Sequence, residues 1–293
     1  MSAASRFTKG GARYYKIGES TYPSVTSILS CINKPYLAQW KSRLALESFA
    51  ASAVAAGEVT KDSVAAHMQA AVAEPEKRTW AAQTHGTQAH AVLDDIVLKS
   101  PAEVAALMEA QAFPSDMTKY VRQFEDFRQK TGITLISQDT VVYSDVHGYA
   151  GAFDALGRTV DGRLVIIDWK TTTGIRPEYA MQLSAYAAAY EELTAEPVSS
   201  AVVVRFSKTE PVTDRMPRYE VRSVRDLASS FETFLAARRL WSALQGGIGD
   251  WFESTKETVE CMASTPILRA DEVVNDPNSS FPMQVVAARD TVV

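Results

Sequence analysis

The chain has 293 residues, 46% of them apolar and 22% charged, with a net charge of −5. That is enough apolar material for one large domain or two small ones, and the acidic balance excludes a protein that coats DNA through a broadly basic surface, so any nucleic-acid contact has to be a local groove. No apolar run nears the roughly 20 residues that cross a bilayer, nor is there the apolar stretch of a secretory signal, so a soluble protein without a membrane partner is expected.

Met1 to Gly18 carries Arg6, Lys9, Arg13 and Lys16 ahead of the first acid, Glu19. A basic arm leading into the strand-forming "ARYYKIG" and a mitochondrial transit peptide both fit that pattern. Ser24 to Leu29 is a short apolar segment, and Ala38 to Ala56 an alanine-rich helix with periodic Leu44, Leu46 and Phe49. Helical signals continue over Ser63 to Val72 and over Gln83 to Leu98, so the first hundred residues look mainly helical. Pro101 to Ala110 and Ser115 to Lys130 add two helices, the second with Ser115 and Asp116 as caps and Gly132 as its stop. The period then shortens. Ile133 to Ile136, Thr140 to Tyr143, Tyr149 to Leu156 and Arg163 to Asp168 are β-rich runs, the last two joined by the tight-turn pair Asp161-Gly162, and together they predict an antiparallel meander. Glu178 to Leu193 is helical, Ala201 to Phe206 and Arg218 to Val224 are strands, and Asp226 to Leu244 is an amphipathic helix. The order describes an α/β or α+β domain on a mixed sheet flanked by helices. From Gly246 to Val293 the pattern dissolves into a loop-rich extension.

One stretch raises a chemical question. In "LVIIDWKTTT", Leu164 to Thr173, a buried strand ends on Asp168 and Lys170. A surface ion pair is the ordinary explanation for an acid and a lysine two apart on one strand face. Two features argue for more: Lys170 is the only lysine of the chain with an acid two positions before it, and the neighbouring strand carries Asp154. The antiparallel turn brings Asp154 back toward the later strand. Two carboxylates repel unless a divalent cation lies between them, which makes Asp154 and Asp168 candidate Mg²⁺ or Mn²⁺ ligands. Such an ion activates water and offsets charge on a phosphate under attack. Lys170 could then orient that water or neutralise the phosphate, and Thr171 is placed to donate a hydrogen bond to phosphate.

"GAFDALGRTVDGRLVIIDWKTTT" resembles the core of the PD-(D/E)XK nuclease superfamily, with Asp154 as the first acid and Asp168-Trp169-Lys170 as the second acid and lysine. Phe153 stands where the superfamily name has proline, and Gly151-Ala152-Phe153-Asp154 is similar to the glycine, two residues, aspartate of the RecB-like exonuclease branch. The resemblance implies a restriction-endonuclease-like core behind a helical N-terminal part. On that reading the nuclease domain spans about 1–245, with the helical part at about 22–130 and the catalytic core at about 131–245.

Further motifs extend the resemblance. Gln182 and Tyr186 share a helix face, and Gln182 is the only glutamine with a tyrosine four residues on. A half-buried helix with Tyr186 in the core and Gln182 in solvent explains that face, and so does the Q-x-x-x-Y motif that helps RecB-like nucleases position the DNA backbone. Gly86, Thr87 and His90 match G-T-x-x-H, which implies His90 as a metal ligand, with the backbone carbonyl of Trp169 a further one. Asp94, one turn on, supports the ligand or stays solvated, and His147 precedes the Asp154 strand closely. "YPSVTSILSCINKPYLAQWKSRLALE" is similar to the opening motif of the mitochondrial genome-maintenance exonuclease family and of phage RecB-like exonucleases. Pro23, Ser24, Val25, Thr26 and Trp40 carry that match, with Ser24 and Thr26 the candidate DNA contacts.

The resemblance implies a Mg²⁺- or Mn²⁺-dependent deoxyribonuclease, an exonuclease acting on a DNA end or single strand, with a recombination or replication partner from phage or host. The expected location is the cytoplasm of a bacterial or phage-infected cell, with the mitochondrion second. The only cysteines, Cys31 and Cys261, cannot supply the four thiolates of an iron–sulfur cluster, which sets aside the CRISPR-adaptation branch. A non-catalytic DNA-binding subunit on the same fold and a restriction-type endonuclease are the alternatives.

Overall fold

The strand-forming "ARYYKIG" is a strand, as read, and pairs with strands on either side of it in the computed structural model, which describes residues 4–57, 59–209 and 219–246. β1 (Ala4–Lys9), β2 (Ala12–Ile17) and β3 (Ser20–Pro23) pair antiparallel in that order. The expectation of a mainly helical first hundred residues therefore applies only after Pro23. Tyr15 and Tyr22 supply the reason: both are buried, in a small apolar cluster with Ala150 of the main sheet. Gly10 and Gly11 take positive φ between β1 and β2, where a side chain would be strained.

Five helices follow: α1 (Val25–Ile28), α2 (Pro35–Ala56), α3 (Lys61–Ile96), α4 (Pro101–Glu109) and α5 (Thr118–Thr131). The two helical segments expected between Ser63 and Leu98 are a single helix running through Pro75. A proline removes one N–H from the ladder, and the alanine-rich sequence on both sides carries the helix across the gap. Helix α5 begins later than expected, and Ser115 and Asp116 do not cap it. Its N-cap is Met117, without a side-chain bond, and Met117 is buried, so packing sets this start. Gly132 ends the helix in the left-handed region, as its position suggests.

The main sheet has five strands in the order β4-β5-β6-β7-β8: β4 (Thr134–Ser144), β5 (Tyr149–Arg158), β6 (Leu164–Lys170), β7 (Val198–Phe206) and β8 (Tyr219–Ser223). The meander β4-β5-β6 is antiparallel. α6 (Pro177–Thr194) crosses over to place β7 parallel to β6, and β8 returns antiparallel. The fold is the expected α/β arrangement on a mixed sheet. The two short runs at 133–136 and 140–143 are one strand, β4, with a register irregularity between Leu135 and Ser137.

Each face of the sheet has its own core. Tyr149, Phe153, Ile166 and Val203 pack with α1, α6 and the last described helix, α7 (Leu227–Gln245). Val165, Ile167, Trp169 and Val204 pack with α3 and α5 on the other side. α2 lies against α3, through contacts such as Phe49 edge-on to His67, and buries no residue fully. Among the described residues no helix is long and apolar enough to cross a membrane. The extension expected after Gly246 lies outside the described residues.

Candidate active site

Leu164 to Ile167 are buried on both faces because β6 is flanked by β5 and β7 and covered on either side. The β5–β6 ladder ends at Ala155–Ile167. Beyond it a side chain takes over the backbone's role: the Trp169 N–H donates to Asp154 Oδ2 at 2.6 Å. The alternation of β5 slips at this point. Phe153 and Leu156 belong to the core under α6, while Ala155 belongs to the core under α5. Opposite lies Asp139, with φ of 39°. The two strands thus part where Asp154 and Asp168 face each other, and the carboxylates sit in the opening.

On the α6 side the Lys170 ammonium touches Asp168 Oδ2. The ring of Tyr179 lies 5.1 Å from the Lys170 Nζ. Trp169 points the other way, as strand alternation requires, into a set of aromatic rings from Phe124, Phe127 and Phe206.

His90 arrives from α3. Its Nδ1 stands 3.3 Å from Asp154 Oδ1. Gly86, one turn earlier, permits the approach, since a Cβ there would come within 3.3 Å of the Thr171 hydroxyl. Ala89, Leu93 and Ile96 bury the adjoining stripe of α3 and fix its rotation. α6 supplies Gln182 and Tyr186. The Gln182 side-chain amide donates to Asp168 Oδ1 at 3.3 Å and to the Tyr186 hydroxyl at 2.9 Å. Tyr186 is indeed in the core, but Gln182 is not solvated: both are buried with their polar ends turned toward Asp168.

A strand-borne acid–x–lysine, a second acid on the adjacent antiparallel strand and a helix-borne histidine thus meet in one place. The sequence model of the PD-(D/E)XK nuclease superfamily matches residues 63–261, a span that contains all of them. The chain belongs to the PD-(D/E)XK nuclease superfamily. Two solved structures show a distant likeness. An alkaline exonuclease from Laribacter hongkongensis is 17% identical, with 54% of this chain and 90% of that chain covered and a TM-score of 0.28. A candidate exonuclease from Eubacterium rectale is 9% identical, with 44% and 52% covered and a TM-score of 0.30. No curated protein sequence matches this chain.

The electrostatics of this cluster follow from a buried acid, Asp168, and a half-buried one, Asp154, sharing one lysine and one imidazole. Burial and the charge of Asp154 hold Asp168 above the usual carboxylate range even with Lys170 beside it. Asp154 goes the other way: burial opposes its charge, but the bond and charge of His90, Lys170 and the Trp169 N–H outweigh it and lower its pKa. Burial would lower His90, yet the bond to Asp154 raises it. Lys170 is likewise raised, because Asp168 and Asp154 overcome the cost of burying its charge.

Asp94 and Tyr179 are members of this environment that motif reading left undecided or missed. Asp94 is pushed up to about 6, first by burial and then by the charge of Asp154. It also lines a recess of about 470 Å³ with Asp95, Glu103 and Gln138. Tyr179 was legible in principle, standing three residues before Gln182 and therefore on its face of the helix.

Other expected residues lie in different settings. Ser24 is buried as the N-cap of α1, accepting from the Ser27 N–H at 3.0 Å, with its hydroxyl also 3.0 Å from that of the exposed Thr26. Thr171 is buried against Gly86. His147 stacks edge-on to Phe231 of α7, in the turn before β5.

The donor set suits a hard divalent ion, since two carboxylates meet at one opening and burial disfavours the uncompensated charge of Asp168. As the side chains stand, no three or more His, Cys, Asp or Glu residues among those described converge as a ready metal cage. Asp168 is turned instead to Lys170 and Gln182.

Proposed function

We propose that this nuclease is a Mg²⁺- or Mn²⁺-dependent DNA exonuclease, hydrolysing phosphodiester bonds at a DNA end or along a single strand in recombination, repair or replication. The observation that carries the reading is the opening between β5 and β6, where Asp154 and Asp168 meet His90 and Lys170. Asp154, Asp168 and His90 would hold the ion, with the Trp169 carbonyl as a further oxygen donor. When bound, a divalent ion lowers the pKa of a coordinated water and offsets charge on the phosphate.

The protein's own groups do the rest. Lys170 keeps its proton at neutral pH because two carboxylates face it, so its ammonium can donate to the attacking water or to a phosphate oxygen. Asp154 stays ionised and ready to bind, since His90 and the Trp169 N–H stabilise its charge. The imidazole–carboxylate contact fixes His90 at the mouth of the opening. Thr26 is exposed and its hydroxyl is available to a phosphate, while Ser24 shapes the turn that presents it. A net charge of −5 suits a strand admitted to a local groove better than one spread over the surface.

Digestion of end-labelled linear DNA and of closed circular DNA, each with Mg²⁺ and with EDTA, tests the reading. Release of labelled nucleotides from linear DNA, Mg²⁺-dependent and absent from circles, is expected. Cleavage of circles would make it an endonuclease, and inert protein in both would leave the non-catalytic alternative.

A further inference from the structure

Gln182 is 9% exposed and Tyr186 2%, so neither polar end is open to a DNA backbone. Both are used internally. The Gln182 amide nitrogen holds Asp168 Oδ1 and the Tyr186 hydroxyl together, at 3.3 and 2.9 Å. The other Asp168 oxygen contacts Lys170. The Lys170 contact is an ion pair, without direction, so the Gln182 hydrogen bond is the directional contact on this carboxylate, and it comes from a different element.

The glutamine is itself aimed. Tyr186 is wedged against β5 at Gly151, where a Cβ would stand 2.3 Å from its Cε1 and 3.1 Å from its Cδ1. Gly151 is therefore needed for room beside the ring. It lies three residues before Asp154, so the glycine of the G-x-x-D pattern and the tyrosine of the Q-x-x-x-Y pattern fit each other as notch and wedge. Contact runs from Gly151 through Tyr186 and Gln182 to Asp168, linking β5, α6 and β6.

We propose that Gln182 is a positioning residue that orients the Asp168 carboxylate, that Tyr186 aims Gln182, and that Gly151 makes the space for Tyr186. The device rests on the metal-dependent reading above and assigns these side chains to the metal-binding acid, not to DNA. Outer partners of metal ligands typically change metal affinity by about 10–100-fold when removed.

The test uses the full chain as wild type, Gln182→Leu and Gly151→Ala. Mn²⁺ binding is followed by electron paramagnetic resonance without DNA, and binding of a fluorescent single-stranded oligonucleotide is followed by anisotropy in EDTA. Both variants are expected to weaken Mn²⁺ binding about tenfold and to lower kcat, with oligonucleotide affinity and KM for DNA unchanged. Loss of oligonucleotide affinity with Mn²⁺ binding intact would make Gln182 a DNA contact and overturn the proposal, as would no change in either. Should Gly151→Ala fail to fold, Tyr186→Phe tests the same link by removing only the hydroxyl: weaker Mn²⁺ binding is expected, and wild-type affinity overturns it. If the wild type binds no Mn²⁺, the metal reading alone falls. Crystals of Gln182→Leu then decide the positioning role, supported by a reoriented Asp168 and overturned by one that has not moved.

Discussion

On the α6 side of β6, Asp168 and Lys170 join Gln182 and Tyr179 in a polar network that ends at the opening between two strands. On the α5 side, one residue away, Trp169 is enclosed by Phe124, Phe127 and Phe206, and its indole N–H has no acceptor among the described residues. The difference shows how a single strand serves both purposes. Leaving a buried donor unbonded costs about 1–3 kcal/mol, and the ring packing outweighs that because it holds the strand end still. The polar side spends that rigidity on keeping two like charges close.

Substitutions should separate the two sides. Asp168→Asn is expected to lower the cleavage rate at least about 10³-fold, about 4 kcal/mol in the barrier. Its fold should persist at a lower unfolding temperature, because the Lys170 ammonium loses one of its two carboxylate partners and keeps Asp154. Cleavage assays and thermal melts on one preparation check this, and an unfolded variant would break the comparison. Trp169→Ala should do the reverse, removing about 3–5 kcal/mol of stability in urea titration. A stable Trp169→Ala protein would mean that the aromatic side does not anchor the strand.

Smaller effects sharpen the polar side. His90→Ala should raise the Mn²⁺ concentration for half-maximal cleavage about tenfold, and an unchanged titration would return His90 to a structural role. Asp94 gives the smallest effect and a pH signature. Its carboxyl rises from 3.8 to about 6 in the fold, so the folded chain holds that proton more tightly than the unfolded one. The stability this contributes is complete below the unfolded value and is lost as the pH climbs through about 6. Asp94→Asn should therefore melt higher than wild type at pH 7.5 and like wild type below pH 4. Melts of both proteins across that range check the sign, and parallel curves would place Asp94 in ordinary solvent.

Comparison of α2 with α6 marks the limit of reading helices from composition. Both are alanine-rich and carry a proline in the first turn. Yet α2 buries no residue, and Leu46 and Val54 along it are at least 70% exposed, while α6 buries Gln182, Tyr186 and five others. A helix that crosses between parallel strands lies on the sheet; one that packs on a single neighbour does not. The apolar pattern alone does not distinguish these.

That Asp154, Asp168, Lys170, His90, Gln182 and Tyr186 come together was expected from the family resemblance of their motifs, whose fixed spacing on a strand or helix local geometry carries into space. The meander and the Gly132 helix stop were legible from local signals. The docking of the N-terminal sheet on Ala150, the unbroken α3, the uncapped start of α5 and the inward aim of Gln182 depend on partners far away in the chain. By itself, then, the sequence determined which side chains are candidates for the chemistry and on which element each rides. Only the tertiary structure decided where they point. The parting of β5 from β6, the notch at Gly151 and the burial of Asp168 arise from long-range packing, whose free energy no local pattern records.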